Sequence, residues 1–147
     1  MNDKILADIK AIMTNTSLSE SFYEAVLNRL VSFGYTLKED DAWVICFAMQ
    51  KVENHIKNYC NLNSVPDGLF NVAVDMVCGE FLLTGKQCGQ IQVGDLDFDC
   101  VVTSIKEGDT QVNFGSGTSD DEKFSVLLNY LMHNGDGDLI CYRKIRW

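Results

Sequence analysis

Along the first sixty residues, apolar side chains recur at steps of three and four, the spacing of helices that each bury one face. Ile5, Ile9, Ile12 and Met13 share one side of a short first helix over 3–14. Ser17-Leu18-Ser19-Glu20 has the spacing of a capping box, and Phe22, Val26, Leu30 and Phe33 follow at helical intervals until Gly34, which predicts a second helix over 18–33. Thr36-Leu37-Lys38-Glu39 repeats the box, and Glu39, Asp40 and Asp41 complement the positive end of a third helix. Its stripe of Ala42, Ile45, Met49, Val52, Ile56 and Tyr59 runs for about five turns and ends near Asn61, with Gln50, Lys51, Glu53, Asn54 and Lys57 assigned to the polar side.

Beyond residue 66 the pattern changes. Pro66 fits the first position of a fourth helix, with Ser64 as its cap. From Leu69 to Leu83 that helix is apolar nearly all round, and a helix of this kind is enclosed by neighbours on most sides. Asp75 and Glu80 interrupt it, so these carboxylates face a narrow wet side or meet a cation across an interface, and Gly79 admits close approach of another backbone. Few other helices are available to do the enclosing. The fourth helix is therefore either central in the monomer or completed by other subunits.

Residues 100–105 and 110–114 are short, β-branched runs separated by Lys106-Glu107-Gly108-Asp109, the pattern of a β-hairpin within an insertion of about 87–118. Ser119-Asp120-Asp121-Glu122 is a third capping box, opening a last helix with Phe124, Leu127, Leu128 and Leu131 inward, up to His133. Asn134-Gly135-Asp136-Gly137-Asp138 breaks it, and a basic, aromatic tail closes the chain over 139–147. The expected fold is mainly α: one domain over 1–147, a bundle of four to five helices with an inserted hairpin.

Composition narrows the classes of function. The 147 residues suffice for one core, and a net charge of -9 argues against a protein that neutralises phosphates with a basic face. Residues 87–123 hold eight acids and two basic residues, a net of -6, so most of the excess charge sits on one segment. The N-terminus lacks the apolar run and cleavage site of a signal peptide, and Asp75 and Glu80 break the longest apolar stretch, so a cytoplasmic origin and no membrane span are expected. The six cysteines, Cys46, Cys60, Cys78, Cys88, Cys100 and Cys141, have wide spacings and no CxxC; reduced, mostly buried thiols are expected.

Candidate chemistry is sparse. Asp95-Leu96-Asp97-Phe98-Asp99 opens like a calcium loop, but Cys100 stands where glycine is required and Lys106 where a bidentate glutamate is needed. These acids are assigned to the exposed face of a strand. Gly115-Ser116-Gly117 precedes a helix, yet no P-loop lysine follows and three acids open that helix. His55 and His133 have no nucleophile or carboxylate at a matching spacing. No catalytic residue, cofactor or metal is assigned, and the chain is not expected to be an enzyme.

One order of parts is familiar. Capped helices precede the passage VENHIKNYC-x-L-x-x-VP-x-GL-x-NVAVDMVCGEFL over 52–82; an acidic β insertion ends in NFGSG; a closing helix of SDDEKFSVLLNYL type leads to a YRKIRW tail. Together they resemble the head-tail connector (adaptor, or head-completion) proteins of long-tailed bacteriophages and prophages, best from about Asp40 to Trp147. The resemblance implies a virion structural protein, assembled in the host cytoplasm as a ring of typically twelve subunits between portal and tail. Such a ring extends the DNA channel and helps retain the packaged genome.

The implied partners are the portal protein, further copies of the chain in a dodecamer and the next connector or tail-completion protein, with DNA passing through without specific binding. In such a ring the fourth helix would be completed by neighbours, placing Asp75, Gly79 and Glu80 at a subunit interface. Tyr142, Arg143, Lys144, Arg146 and Trp147 would form a docking hook for the portal or a neighbour, with the tail packing back on its own bundle as the alternative. Asp95, Asp97, Asp99, Glu107 and Asp109 would line the channel on an acidic hairpin that keeps DNA sliding, with a hairpin reaching sideways to a neighbouring subunit as the alternative. The segment 87–117 is longer than in the shorter members of the family. Two other readings compete: a small acidic phage or prophage regulatory protein that binds a host partner through its helical face, and an enzyme with a metal at Asp95, Asp97 and Asp99, for which no general base is present.

Overall fold

The computed structural model describes residues 2–97 and 119–145. Five longer helices are present among them: α1 (Asn2–Ile12), α2 (Glu20–Ser32), α3 (Asp41–Cys60), α4 (Phe70–Gln87) and α5 (Asp120–His133), followed by the seven-residue α6 (Asp136–Tyr142). Two 3-10 turns, Asp67–Leu69 and Val93–Asp95, join them. The mainly helical expectation holds. No strand occurs among the described residues, and the predicted hairpin strands, with Asp99, Glu107 and Asp109, lie outside them. Where the start of that insertion was expected, α4 runs on to Gln87, and Asp95 stands in a 3-10 turn instead of on a strand.

The helix ends show which local signals prevail. Ser19, not Ser17, caps α2, its hydroxyl accepting from the Phe22 N–H at 3.3 Å. At the other end Tyr35 N–H reaches back to the Leu30 carbonyl, a closure that requires the positive φ of 87° at Gly34. The Asp97 N–H then bonds the Phe33 carbonyl at 2.8 Å, tying the segment after α4 to the end of α2. Thr36 does not open α3. Instead the Asp41 carboxylate folds back to accept from the Lys38 N–H and the Tyr35 hydroxyl, both at 2.8 Å, while Glu39 pairs with Lys4. Pro66 precedes a 3-10 turn, not α4 itself. Ser119 caps α5 as expected, accepting from the Glu122 N–H. The Asn134–Asp138 stretch, read as a breaker, turns sharply and opens α6, because Gly135 leaves room for the Val72 side chain of α4.

α4 is the centre of the bundle. It packs on α2, α3 and α5, and Ala73, Val77, Cys78, Phe81 and Leu82 are each at most 2% exposed. Ile91 and Leu96 from the following segment join the same core. Phe22 meets Phe70, and Tyr35 meets Phe81, each edge-to-face at 5.5 Å between ring centroids. The segment Asp67–Gln87 is long and apolar enough to cross a membrane by length and composition, yet 56% of its most apolar stretch is buried within the protein, as befits a core helix. Within one chain the inward positions of this helix are already enclosed by α2, α3 and α5.

The polar side assigned to α3 needs one correction. Glu53 is buried, accepting hydrogen bonds from Thr16 and Ser17, with Lys57 at 3.7 Å. It pins the α1–α2 loop to α3.

Cys46, Cys60 and Cys78 are buried free thiols, whereas Cys88 and Cys141 are exposed. Burial raises the Cys46 pKa to about 11 and pushes Cys78 higher still. A mild alkylating reagent should therefore modify Cys88 and Cys141 while these three stay protected, as peptide mass spectrometry would read. The sign of the pH effect follows from the same burial: unfolded thiols ionise near 9.0, so the stability these groups contribute is complete below that pH and is lost as pH rises from 9.0 towards 11.

Candidate functional site

Asp75, Gly79 and Glu80 all find their neighbours inside a single chain. The Asp75 carboxylate accepts from Arg29 Nε at 3.0 Å and from Asn134 Nδ2 at 3.4 Å, bridging α4 to α2 and to the end of α5. Glu80 pairs with Lys51 of α3 at 3.1 Å, a contact worth at most about 1 kcal/mol because the lysine end is open to water. Gly79 lies against α5, where a Cβ would stand 2.8 Å from Met132 Cγ and 3.1 Å from Leu131 Cβ. The backbone approach predicted at Gly79 is real, and its partner is α5 of the same molecule.

Burial raises the Asp75 pKa above its ordinary 3.8, with Arg29 only partly offsetting it. A carboxyl whose pKa is higher in the folded chain stabilises the fold more as it protonates, so stability due to Asp75 falls as pH rises from 3.8 through its folded value. Asp75→Asn should flatten that part of the profile, measured by urea unfolding across the acid range. An unchanged profile would mean that the carboxyl is not desolvated.

The tail begins as α6 and continues extended through Arg143. Lys144 N–H bonds the Cys60 carbonyl at 2.8 Å, and Asn61 Nδ2 donates to the Lys144 carbonyl at 2.7 Å. The Arg143 guanidinium lies over the Tyr59 ring at 5.2 Å, and Gly68 makes room for the Tyr142 hydroxyl. The backbone of 143–145 thus packs on its own bundle while Tyr142 and Ile145 remain 39% and 78% exposed. Arg146 and Trp147 lie outside the described residues. Asp95 accepts from the Gln92 N–H at 2.8 Å, closing a local turn. No group of three or more His, Cys, Asp and Glu side chains suited to a metal converges among the described residues.

Two surface features went unread in the sequence. Trp43 and Phe47, one turn apart on α3, are 66% and 63% exposed. Their signal was present: both fall outside the Ala42–Tyr59 stripe, on the opposite face of the helix. The second is a groove of about 480 Å³ between the C-terminal half of α3 and α4, α5 and α6. Val52, Met76, Met132, Leu139 and Ile140 give it an apolar floor. Its rim carries the Lys51–Glu80 pair, the stacked His55 and Tyr59 rings and the His133–Asp136 contact at 3.2 Å. It is an apolar recess with polar edges. Its apolar lining suits an inserted apolar side chain.

No protein-family model, no curated protein and no solved structure matches this chain.

Proposed function

We propose that the protein is a structural subunit of a tailed-phage virion, a head-tail connector standing as a ring between portal and tail. The observation that carries this reading is the exposed aromatic pair Trp43 and Phe47 on a bundle whose core is otherwise complete. Large apolar side chains held in water on a rigid helix mark a surface meant to be covered by protein. The order of sequence parts supplies the kind of assembly. In it the chain contributes fixed faces and no chemistry: its copies join side by side, the acidic surface repels the DNA that passes, and the tail residues Tyr142, Arg143, Lys144, Arg146 and Trp147 are offered to the portal or a neighbour.

The same aromatic pair, lying on one helix face, also favours the regulatory reading, in which a host protein covers it. Portal binding separates the two. Purified chain should co-sediment with portal rings from its own phage, and a chain lacking 142–147 should do so more weakly. A chain that leaves the portal untouched, and instead captures one host protein through Trp43 and Phe47, would replace the connector reading with the regulatory one.

A further inference from the structure

We infer that the groove between α3 and α6 is the receptor for Trp43 and Phe47 of a second copy of this chain, making a head-to-tail contact between identical molecules. This inference deepens the connector reading by naming the faces through which copies join.

Three observations carry it. The first is chemical fit. Trp43 and Phe47 are the most exposed aromatic side chains among the described residues, and the groove offers Val52, Met76, Met132, Leu139 and Ile140 as its floor. Val52, Met76 and Leu139 are already buried, and Ile140, at 60% exposed, is the apolar side chain that the recess presents to a partner. A recess of about 480 Å³ lies within the range that accepts a ligand of a few rings.

The second is placement. Trp43, Phe47, Lys51, His55 and Tyr59 form a single row on α3 at steps of four. At 3.6 residues per turn each step drifts by about 40°, and the row rises about 24 Å from first to last. The aromatic pair and the groove therefore sit at different heights and face different directions. They cannot meet within one molecule. Two complementary patches so placed generate a heterologous contact, which repeats from copy to copy and closes into a ring when the rotation permits.

The third is charge. Asp40, one turn before Trp43, is exposed and makes no capping hydrogen bond. At the groove, Glu80 is paired with Lys51 and Asp136 with His133, while the Arg143 guanidinium lies over the Tyr59 ring of the rim and lines, with Lys144 and Ile140, the adjoining recess. An acidic end meets a basic end in the contact, which favours one orientation and disfavours the symmetric pairing of two aromatic patches.

The test uses two full-length variants at exposed positions, so that folding is retained and can be checked by circular dichroism. W43A/F47A removes the insert; Ile140→Glu places a charge in the receptor. Sedimentation is followed up to millimolar concentration for the wild type, each variant and their equimolar mixture. The wild type should self-associate, and each variant should weaken association about 30-fold or more, the scale of a hot-spot residue. The mixture should form dimers and nothing larger, because one good insert and one good receptor remain. A monomeric wild type at every concentration, an Ile140→Glu chain that associates normally, or a mixture with no dimer would each overturn the inference. Portal binding is scored separately: a chain that self-associates as described but ignores the portal would sink the connector reading and leave this contact standing.

Discussion

Phe81→Ala should lower the stability of the isolated chain by about 3–5 kcal/mol, and by the same amount at any protein concentration. Phe81 is 2% exposed, sits in the middle of α4 and meets Tyr35 edge-to-face. Truncation removes the transfer energy of the ring and leaves a cavity lined by α2, α3 and α5 contacts that cannot collapse together. The concentration independence is the informative part. Were α4 completed only by neighbouring copies, the variant would fold almost normally when dilute and fail on assembly. Because one chain encloses the inward positions of the helix, denaturant unfolding at two widely different concentrations should give the same loss.

Asp41→Ala should cost about 2–4 kcal/mol, which is large for a residue at a helix start. The Asp41 carboxylate is nearly buried and accepts from both the Lys38 N–H and the Tyr35 hydroxyl. Removing it leaves a tyrosine hydroxyl without its partner at a site where Tyr35 is 3% exposed, and an unsatisfied buried donor carries its full desolvation cost. Tyr35→Phe separates the contributions. If the cost arises from that orphaned hydroxyl, Asp41→Ala in the Tyr35→Phe background should lose markedly less than in the wild type, as a double-mutant cycle from urea unfolding would measure. Equal losses in both backgrounds would assign the effect to the Lys38 N–H bond instead.

Much of the fold was legible because stripe and cap agreed. Phe22, Val26, Leu30 and Phe33 are all buried, as their spacing required, and Ser119 caps α5 where the box placed it. The misses share one physical cause: each depended on a contact that helical spacing does not reveal. Glu39, Asp40 and Asp41 are equivalent acids on paper, and only the position of Tyr35 selects Asp41 to fold back. Glu53 looked solvent-facing until Thr16 and Ser17 arrived from another loop. The glycines at 135 and 137 read as breakers, although Gly135 is there to let α4 come close while α6 begins.

The candidate surface was harder still. An all-round apolar α4 announces burial without saying whose atoms do the burying; within the chain, α2, α3, α5 and the segment carrying Ile91 and Leu96 supply its core contacts. Asp75 and Glu80 interrupt an apolar run in the way interfacial charges do, yet both have cations within the molecule. The outward placement of Trp43 and Phe47 was legible in their spacing, opposite Ala42, Ile45 and Met49, whereas what covers them was not. The groove is composed of four helices and has no linear signature at all.

Electron microscopy of portal rings mixed with this chain tests the central claim, that the protein is a self-complementary connector subunit, most directly. The expected image is an added ring of copies on the tail-facing side of the portal, with Trp43 and Phe47 of each copy seated beside Ile140 of the next. Bare portal rings alongside free monomers, at concentrations far above those of assembly in a cell, would contradict it.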